Sequence, residues 1–342
     1  AEKRHFNLSV PGVEFEASYL NYYSDLNSMN NSGMSNTNNM SNESVNNMNN
    51  NNSYFYSQSN NESGNVSNVS NSHLAPRIYM IDPTFTVLQT QQHPRSVIII
   101  DESGRRWRFL LKGKEDLRLD QRIMQLFKLI NTLLSSNRLT SSLGIEIVQY
   151  PIVPFAKDCG LIGWVGGADT LQHLVTNLRS TRNIPPFLEL NMLHDLVGNS
   201  SSSQTHLQRL ETFDEIASKF DANELRDIFW LRSPNPETWL DRVDTYTKST
   251  GLMSITGYVI GLGDRHPSNM MVQHASGRVI HIDFGDSFES AMKRNIFPEK
   301  VPFRLTRMIV NAFDCAGIDG LFRTTCEEVM NVLRQHKTSI IA

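Results

Sequence analysis

Alternating apolar and polar residues mark the part of the chain that follows Arg77. Such alternation, with many β-branched and aromatic residues, is typical of strands that bury one face. It predicts strands at residues 77–89, 96–100, 105–112 and 145–150. Between two of them, Asp101-Glu-Ser-Gly104 has the composition of a turn. We therefore expect a β-rich unit in this part of the chain.

Helical spacing of apolar residues replaces the alternation after Lys112. Apolar residues recur every three or four positions at Leu119, Ile123, Leu126, Ile130 and Leu133. Such a stripe is typical of a helix that packs against a core. Beyond Asp169 the pattern predicts helices at residues 169–179, 204–220, 222–232, 237–260, 304–316 and 324–338. Together the two patterns indicate an α+β fold, with a β-rich part followed by a larger helical part.

Asparagine and serine dominate residues 27–75, with few apolar residues between them. A tract of this composition cannot bury enough apolar surface to offset the conformational entropy that is lost on folding. We therefore expect a disordered insertion at 27–75, between a lead-in segment at 1–26 and the first strand.

The overall composition excludes several classes of protein. A formal net charge of −3 and a pI near 6.4 indicate no basic face for nucleic acid. The three cysteines lack the spacing of a disulfide framework or a zinc site, which favours a reducing compartment. No apolar run reaches the roughly 20 residues of a transmembrane helix. We therefore expect a soluble intracellular protein without a transmembrane segment.

Two short polar motifs flank a predicted β-hairpin. Gly261-Leu-Gly-Asp-Arg-His-Pro-Ser-Asn269 precedes a strand and turn at 270–277, and Val279-Ile-His-Ile-Asp-Phe-Gly285 contains the returning strand. A tight hairpin brings the chain back to the edge from which it started. We therefore expect Asn269 and Asp283 to lie side by side.

The residue types at this edge suit phosphoryl transfer. One amide and one carboxylate oxygen can hold Mg²⁺, which keeps its other positions for water and nucleotide phosphates. Asp264, in the loop before Asn269, is placed to accept the proton of an attacking hydroxyl. The paired motifs predict a phosphotransferase with Asn269 and Asp283 as metal ligands. A surface hairpin with solvated carboxylates is the alternative.

The order Asp264-Arg265-His266 reverses the His-Arg-Asp of typical protein kinases and resembles the phosphatidylinositol 3-kinase superfamily. Within its protein-kinase branch, the phosphatidylinositol 3-kinase-related kinases, three stretches resemble the target of rapamycin group: 257–271, 281–289 and 297–308. The likeness extends over most of residues 76–342. It implies a two-lobed protein-kinase-like fold of the phosphatidylinositol 3/4-kinase type. It also gives His266 a part in the active site, although a structural role in the loop is the other interpretation.

The resemblance further implies a serine/threonine protein kinase that transfers the γ-phosphate of ATP with Mg²⁺, Mn²⁺ being an alternative metal. Lys112 is assigned to the α- and β-phosphates, with Lys114 as the competing candidate. Glu115 and Asp120, near the start of the following helix, can each hold the lysine ammonium, and their spacing leaves both open. The turn that begins at Thr90 lacks Gly-x-Gly-x-x-Gly, yet the resemblance places it over the phosphates.

The apolar, glycine-containing connector at 161–168 resembles the hinge between kinase lobes. An adenine ring needs a flat apolar slot and one or two backbone hydrogen bonds. The resemblance gives those bonds to the Gly163 carbonyl and the Val165 amide. It places five side chains around the ring: Trp164, Leu110, Tyr150, Met271 and Ile282. For each apolar side chain, ordinary core packing is the alternative.

The implied organisation is a kinase N-lobe at 76–160, the hinge, and a C-lobe at 169–342 that contains a catalytic loop at 261–269 and an activation segment at 283–303. The activation segment is expected to receive protein substrates. In the family, the stretch that corresponds to Ser180 to Leu210 mounts a β-propeller subunit, and other complex subunits are implied. The resemblance also implies nutrient and growth signalling in the cytoplasm, with peripheral attachment to endomembranes as an alternative location.

Two other functions compete with a protein kinase. A phosphoinositide lipid kinase would use the same ATP site but would need a basic cluster in the activation segment. Lys293, Arg294 and Lys300 are balanced there by Asp286, Glu289 and Glu299, so no strong basic patch results. A pseudokinase scaffold is the second competitor. The presence of Lys112, together with Asp264, Asn269 and Asp283 in the two motifs, argues against it.

Overall fold

The structure of the protein is a computed structural model that describes residues 8–11, 76–90, 92–197, 205–288 and 300–341. The predicted insertion at 27–75 lies outside the described residues. So does most of the predicted activation segment, as well as most of the lead-in segment.

An antiparallel sheet forms the first part of the fold. Its strands are β1 (Ile78–Ile81), β2 (Thr86–Val87), β3 (Arg95–Asp101), β4 (Arg106–Gly113), β5 (Ile152–Ala156) and β6 (Cys159–Gly163). They lie in the order β1-β3-β4-β6-β5, with β2 paired to β3. On one face, Ile99, Phe109 and Leu161 form a small core with Val10. Because side chains alternate along β4, the side chains of Leu110 and Lys112 lie on the opposite face.

The short lead-in segment is held against the start of this sheet. The Ile78 amide donates to the Leu8 carbonyl, and the Val10 amide donates to the Pro76 carbonyl, each at 2.8 Å. Val10 is only 2% exposed. Leu8 and Val10 of the lead-in segment are therefore neighbours in space of the residues that follow the predicted insertion.

Helix α1 (Arg118–Ser136) follows β4 and buries the predicted apolar stripe. Helix α2 (Arg138–Leu143) follows it, with the Asn137 side chain accepting from two amides at its start. The predicted strand at 145–150 is wrong, because no ladder forms there. Instead, Asn131 of α1 bonds to both backbone groups of Ile147, each at 2.8 Å, and holds the segment extended along the helix.

A second sheet consists of β7 (Ala168–Thr170), β8 (Met270–Gln273) and β9 (Val279–His281). The predicted hairpin is confirmed, since Met270 pairs with His281 and Val272 with Val279. The predicted helix at 169–179 begins later than expected, because Asp169 and Thr170 pair with β8 first.

The remaining described helices surround this sheet: α3 (Leu171–Thr181), α4 (Leu188–Val197), α5 (His206–Ser218), α6 (Glu224–Leu231), α7 (Pro236–Val259), α8 (Arg307–Asn311), α9 (Leu321–Gln335) and α10 (Lys337–Ile341). Of these, α4 was not predicted. The predicted helix at 304–316 is reduced to α8, with a short 3-10 turn at Gly317–Asp319 beyond it. None of the helices described is both long and apolar enough to cross a bilayer.

One apolar core connects the first sheet and α1 with the helices that follow. It contains Phe127 of α1, Leu252 of α7 and Val329 of α9 together with Phe284, which directly follows Asp283. The α+β fold is thus confirmed. The core fixes the returning end of the hairpin against helices from both parts of the chain.

Candidate active site

Two of the predicted functional residues, one in the loop between α7 and β8 and one just after β9, have an unusual backbone geometry. Asp264 has φ +55°, and Asp283, after β9, has φ +63°. Left-handed backbone at a non-glycine residue costs free energy and is concentrated at functional sites. Gly263 is tied to the post-hairpin segment, since its amide donates to the Asp286 carbonyl at 2.8 Å.

The two predicted metal ligands lie at the same end of the β8–β9 hairpin. The Ile282 amide donates to the Asn269 carbonyl at 3.1 Å, so the residue before Asp283 pairs with Asn269. The Asn269 side-chain amide donates to the Asp264 carbonyl at 3.0 Å, which leaves its amide oxygen as the group able to bind a cation. Among the described residues, no three His, Cys, Asp or Glu side chains form a metal cluster. The amide oxygen of Asn269 and the carboxylate of Asp283 are of the oxygen type that Mg²⁺ prefers while it retains water and phosphate ligands.

Arg265 connects the loop before β8 with the segment that follows β9. Its buried guanidinium donates to the carbonyls of Gly263 at 2.7 Å and Ile282 at 2.9 Å, and to the carbonyl of Asp283. Burial lowers the pKa of Arg265, while the charges of Asp283 and Asp264 oppose that shift. The guanidinium thus fixes the spacing of the loop and the returning strand. Reasoning from the sequence gave Arg265 no role.

His266 lies on the exposed side of the loop. Its Nδ1 accepts the Ser268 amide at 3.2 Å, which places the proton of a neutral ring on Nε2. Nε2 is 4.0 Å from Oδ2 of Asp264. The predicted base and the predicted loop histidine are therefore adjacent, with an N–H of the histidine beside the carboxylate.

The structure separates the two acidic candidates near Lys112. Lys112 Nζ forms an ion pair with Glu115 at 3.0 Å. Asp120 instead accepts the Phe284 amide at 3.0 Å and lies 4% exposed. Burial raises the pKa of Asp120, while this amide and the charge of Lys112 oppose the shift. In this structure Glu115 is the partner of Lys112, whereas Asp120 holds the backbone that follows Asp283.

The predicted hinge residues lie where β6 leaves the first sheet. The Trp164 amide donates to the Arg108 carbonyl at 3.0 Å, and the Gly163 amide donates to the Pro151 carbonyl at 2.7 Å. Because hydrogen-bonded pairs alternate along an antiparallel ladder, Gly163 and Val165 direct their backbone groups away from β4. A Cβ at Gly163 would lie 2.5 Å from the Pro151 ring, so this position requires glycine.

The side chains predicted to surround the adenine ring lie together only in part. Tyr150 and Val165 belong to the large core, and Met271 and Ile282 pack against it. Leu110 faces Ile162 across the first sheet. Trp164 is 38% exposed at the outer end of the group. Thr170 pairs with Met271 in the second sheet, and its side chain caps the start of α3.

The predicted phosphate-covering turn lies at the Lys112 end of the first sheet. The Leu88 amide donates to the Pro94 carbonyl at 2.9 Å, and the His93 amide donates to the Thr90 carbonyl at 3.0 Å. Arg95, just after the turn, pairs with Leu111. A cavity of about 600 Å³ lies elsewhere, lined by α1, residues 144–149 and Arg278, and it contains none of the predicted site residues.

Comparisons with known proteins identify the family of the chain. The family model for phosphatidylinositol 3- and 4-kinases matches residues 106–342. The chain is 46% identical over 266 residues to the serine/threonine-protein kinase tor1 of Schizosaccharomyces pombe, which covers 78% of this chain and 11% of that protein. It is 30% identical over 295 residues to the serine/threonine-protein kinase SMG1 of Danio rerio, which covers 78% of this chain and 8% of that protein.

A solved structure described as the FAT and kinase domain of CtTel1 is also similar. Its TM-score is 0.70 at 28% identity, and the match covers 81% of this chain and 20% of that one. The chain thus spans only a small part of the length of the relatives it matches.

Proposed function

Because the chain belongs to the phosphatidylinositol 3- and 4-kinase family, and within it to the target of rapamycin kinases, we propose that it transfers the γ-phosphate of ATP to serine or threonine hydroxyls of proteins. The observation that carries this proposal is the placement of Asn269, Asp283 and Asp264 around one buried guanidinium. We keep the proposed N-lobe at 76–160, hinge at 161–168 and C-lobe at 169–342. Strand β6 continues the first sheet to Gly163, so only a short connector separates it from β7.

The proposed chemistry divides the site into three parts. The Gly163 carbonyl and the Val165 amide bind the adenine edge. Lys112, held by Glu115, binds the α- and β-phosphates at the end near Thr90. Asn269 and Asp283 hold Mg²⁺, which when bound offsets the charge of the phosphates. Mn²⁺ has the same preference for oxygen ligands.

The third part receives the substrate hydroxyl. Asp264 orients this hydroxyl and accepts its proton as the oxygen attacks phosphorus. The Nε2 proton of His266 lies beside that carboxylate and is placed to donate to an oxygen that gains negative charge. Contacts of the loop, such as the bond from the Asn269 side chain to the Asp264 carbonyl, hold the base in its strained backbone conformation before substrate binds.

Replacing Asp283 by Ala tests the metal assignment. We expect phosphotransfer to fall at least about 100-fold, the scale on which losing one electrostatic stabiliser acts. The thermal unfolding midpoint should stay near the wild-type value. Radiolabelled phosphate transfer to a peptide panel measures the first, and Asp319→Ala, at an exposed carboxylate, is the matched control. Activity of Asp283→Ala close to wild type would show that the metal assignment is wrong.

The lipid-kinase alternative is tested in the same assay. The similar proteins carry the names of serine/threonine-protein kinases, which supports a protein substrate. We expect label in the peptides and none in phosphatidylinositol presented in parallel. The opposite result would favour the lipid reaction.

We also propose that a β-propeller subunit docks on the outer face of α4 and α5, in a cytoplasmic complex. Leucines on both helices are exposed, including Leu193 at 39% and Leu210 at 56%. Arg179 fixes this platform, since it donates to Glu189 at the start of α4 at 2.7 Å and to Glu224 of α6 at 2.6 Å. An exposed apolar face on firmly anchored helices suits a protein partner.

Charge on this face should abolish docking. We expect Leu193→Asp combined with Leu210→Asp to remove the propeller subunit from the purified kinase, because a carboxylate cannot be buried cheaply in an apolar contact. Leu240→Asp, at an exposed leucine of α7, should leave it bound. Mass spectrometry of the purified complexes measures the outcome, and undiminished propeller subunit in the double variant would contradict the docking site.

A further inference from the structure

Arg108 of β4 is stacked on the hinge tryptophan. Its guanidinium carbon is 3.7 Å from the centroid of the Trp164 ring. Its Nε donates to the Ser96 hydroxyl at 2.8 Å, and its carbonyl accepts the Trp164 amide at 3.0 Å. The side chain is therefore held by a neighbouring strand, by the ladder and by the aromatic ring.

The position of this pair gives it access to the proposed nucleotide. Residues alternate along β4, so Arg108, Leu110 and Lys112 share one face, opposite Phe109 in the small core. Arg108 lies about 13 Å from Lys112 along the strand, at roughly 3.3 Å per residue. That separation suits a ligand whose base meets Trp164 while its phosphates meet Lys112.

The charge of Arg108 is not used in an ion pair among the described residues. Within the part of the chain that the structure describes, no carboxylate forms an ion pair with it, whereas the nearby Arg106 pairs with Asp82 at 2.8 Å. A guanidinium over an indole face is attracted by the ring quadrupole, and it restricts the rotation of the side chain that it covers. Without Arg108, the Trp164 side chain, which is 38% exposed, would keep its freedom to rotate until a ligand bound.

We propose that Arg108 is a positioning residue for the nucleotide base, acting by covering one face of Trp164 so that the ring is set in place before ATP binds. The inference rests on the proposed function, and it adds a residue that neither the motifs nor the hinge assignment included. A ring already in place binds a planar base more tightly, because the entropy of ordering it is not lost on binding. The effect should therefore appear in affinity for ATP and leave the phosphoryl-transfer step unchanged.

The experiment compares KM for ATP and kcat in the intact kinase. Arg108→Leu should raise KM about fivefold, the change that corresponds to one cation–π contact. Its kcat should stay within about twofold of wild type, as expected when only binding is affected. Arg108→Lys, which keeps the cation, should restore part of the affinity. Arg105→Leu is the matched control, because Arg105 lies 4.3 Å over Trp107, which packs against the small core on the other face of β4.

A double-mutant cycle separates positioning from a general effect on the fold. In a Trp164→Leu background, Arg108→Leu should cause no further rise in KM, because the surface on which it acts is gone. Thermal unfolding of each variant is measured first, and Arg108→Gln replaces Arg108→Leu if that variant unfolds early.

The outcomes distinguish this inference from the proposed function. Wild-type kinase that fails to bind ATP with Mg²⁺ would overturn both. Wild-type binding, with KM of the Arg108 variants unchanged or lower, would overturn the positioning role alone. Additive effects of Arg108→Leu and Trp164→Leu would overturn it too.

Discussion

Asp264 and Asp283 both adopt left-handed backbone, and each lies at a point where the chain changes direction beside the hairpin. Such a conformation costs on the order of 1–3 kcal/mol at a non-glycine residue. The surrounding contacts must supply this energy. Arg265 provides several of them, because one buried guanidinium bonds to carbonyls on both sides of the site.

We predict that Arg265→Met will reduce kcat at least about tenfold and raise the Mg²⁺ concentration needed for half-maximal activity. Several buried carbonyls lose their donor, and each unsatisfied group costs about 1–3 kcal/mol. The metal ligands then lose their fixed spacing. Arg265→Lys should recover part of both effects, since an ammonium reaches fewer carbonyls than a planar guanidinium.

Magnesium titrations at saturating ATP make this measurement. A purely structural role for Arg265 would lower the unfolding midpoint and leave the Mg²⁺ dependence of the folded fraction unchanged. That result would contradict the prediction.

At this scale the sequence allowed the proximity of Asn269 to the residues before Asp283 to be predicted, because a short hairpin determines its own register. The partner of Lys112 could not be chosen in the same way. Glu115 and Asp120 lie close together along the chain, and only the approach of Phe284 from a distant segment gives Asp120 its own bond. The left-handed backbone of Asp264 and Asp283 could not be predicted either, because aspartate also adopts the ordinary backbone conformations.

Helices α7 and α9 pack closely at Gly251. A Cβ there would lie 3.1 Å from the Phe322 carbonyl and 3.2 Å from the Thr325 Cβ. Gly257, on the same helix, would meet only Leu262, at 3.6 Å. The two glycines therefore differ in the space around them.

We predict that Gly251→Leu will lower the free energy of unfolding by about 1–3 kcal/mol, because it overpacks this contact. Gly257→Ala, the control, should raise it by about 0.5–1 kcal/mol, since alanine is the better helix former. Chemical denaturation measures both. A stable Gly251→Leu variant would show that the two helices can separate without cost.

Elements with strong local patterns were predicted well, and those defined by distant contacts were not. Helix α1 and the β8–β9 hairpin carry their periodicity in their own residues. The segment at 145–150 has the alternation of a strand, yet side chains of α1 take its hydrogen bonds. Helix α4 follows Pro185-Pro186, and those prolines obscured it.

At the scale of the described fold, the core that joins the first sheet and α1 to later helices contains Phe284 at 0% exposure. Its ring lies edge-on to Phe127, at 5.3 Å between ring centroids. Because this core receives side chains from α1, α7 and α9, the residue after Asp283 is fixed by both parts of the fold. The two-part α+β architecture was predictable from the change in periodicity. The shared core was not, since it depends on contacts between segments far apart in the chain.

We predict that replacing residues 12–75 by a short Gly-Ser linker will leave both the unfolding midpoint and KM for ATP unchanged. The flanking residues already pair with each other, so a short connection can close the chain. Val10→Asp is the contrasting variant, and it should lower the midpoint by several degrees because it places a carboxylate in an apolar core. A kinase that loses its activity with the linker would show that the replaced residues contribute to the site.

The pairing of Leu8 and Val10 with Pro76 and Ile78 also has a practical consequence. A fluorescent reporter whose own ends lie close together can be fused at this place, since domains are readily accepted where the chain leaves and returns at one surface point. Such a fusion would place the label beside β1, at the edge of the first sheet.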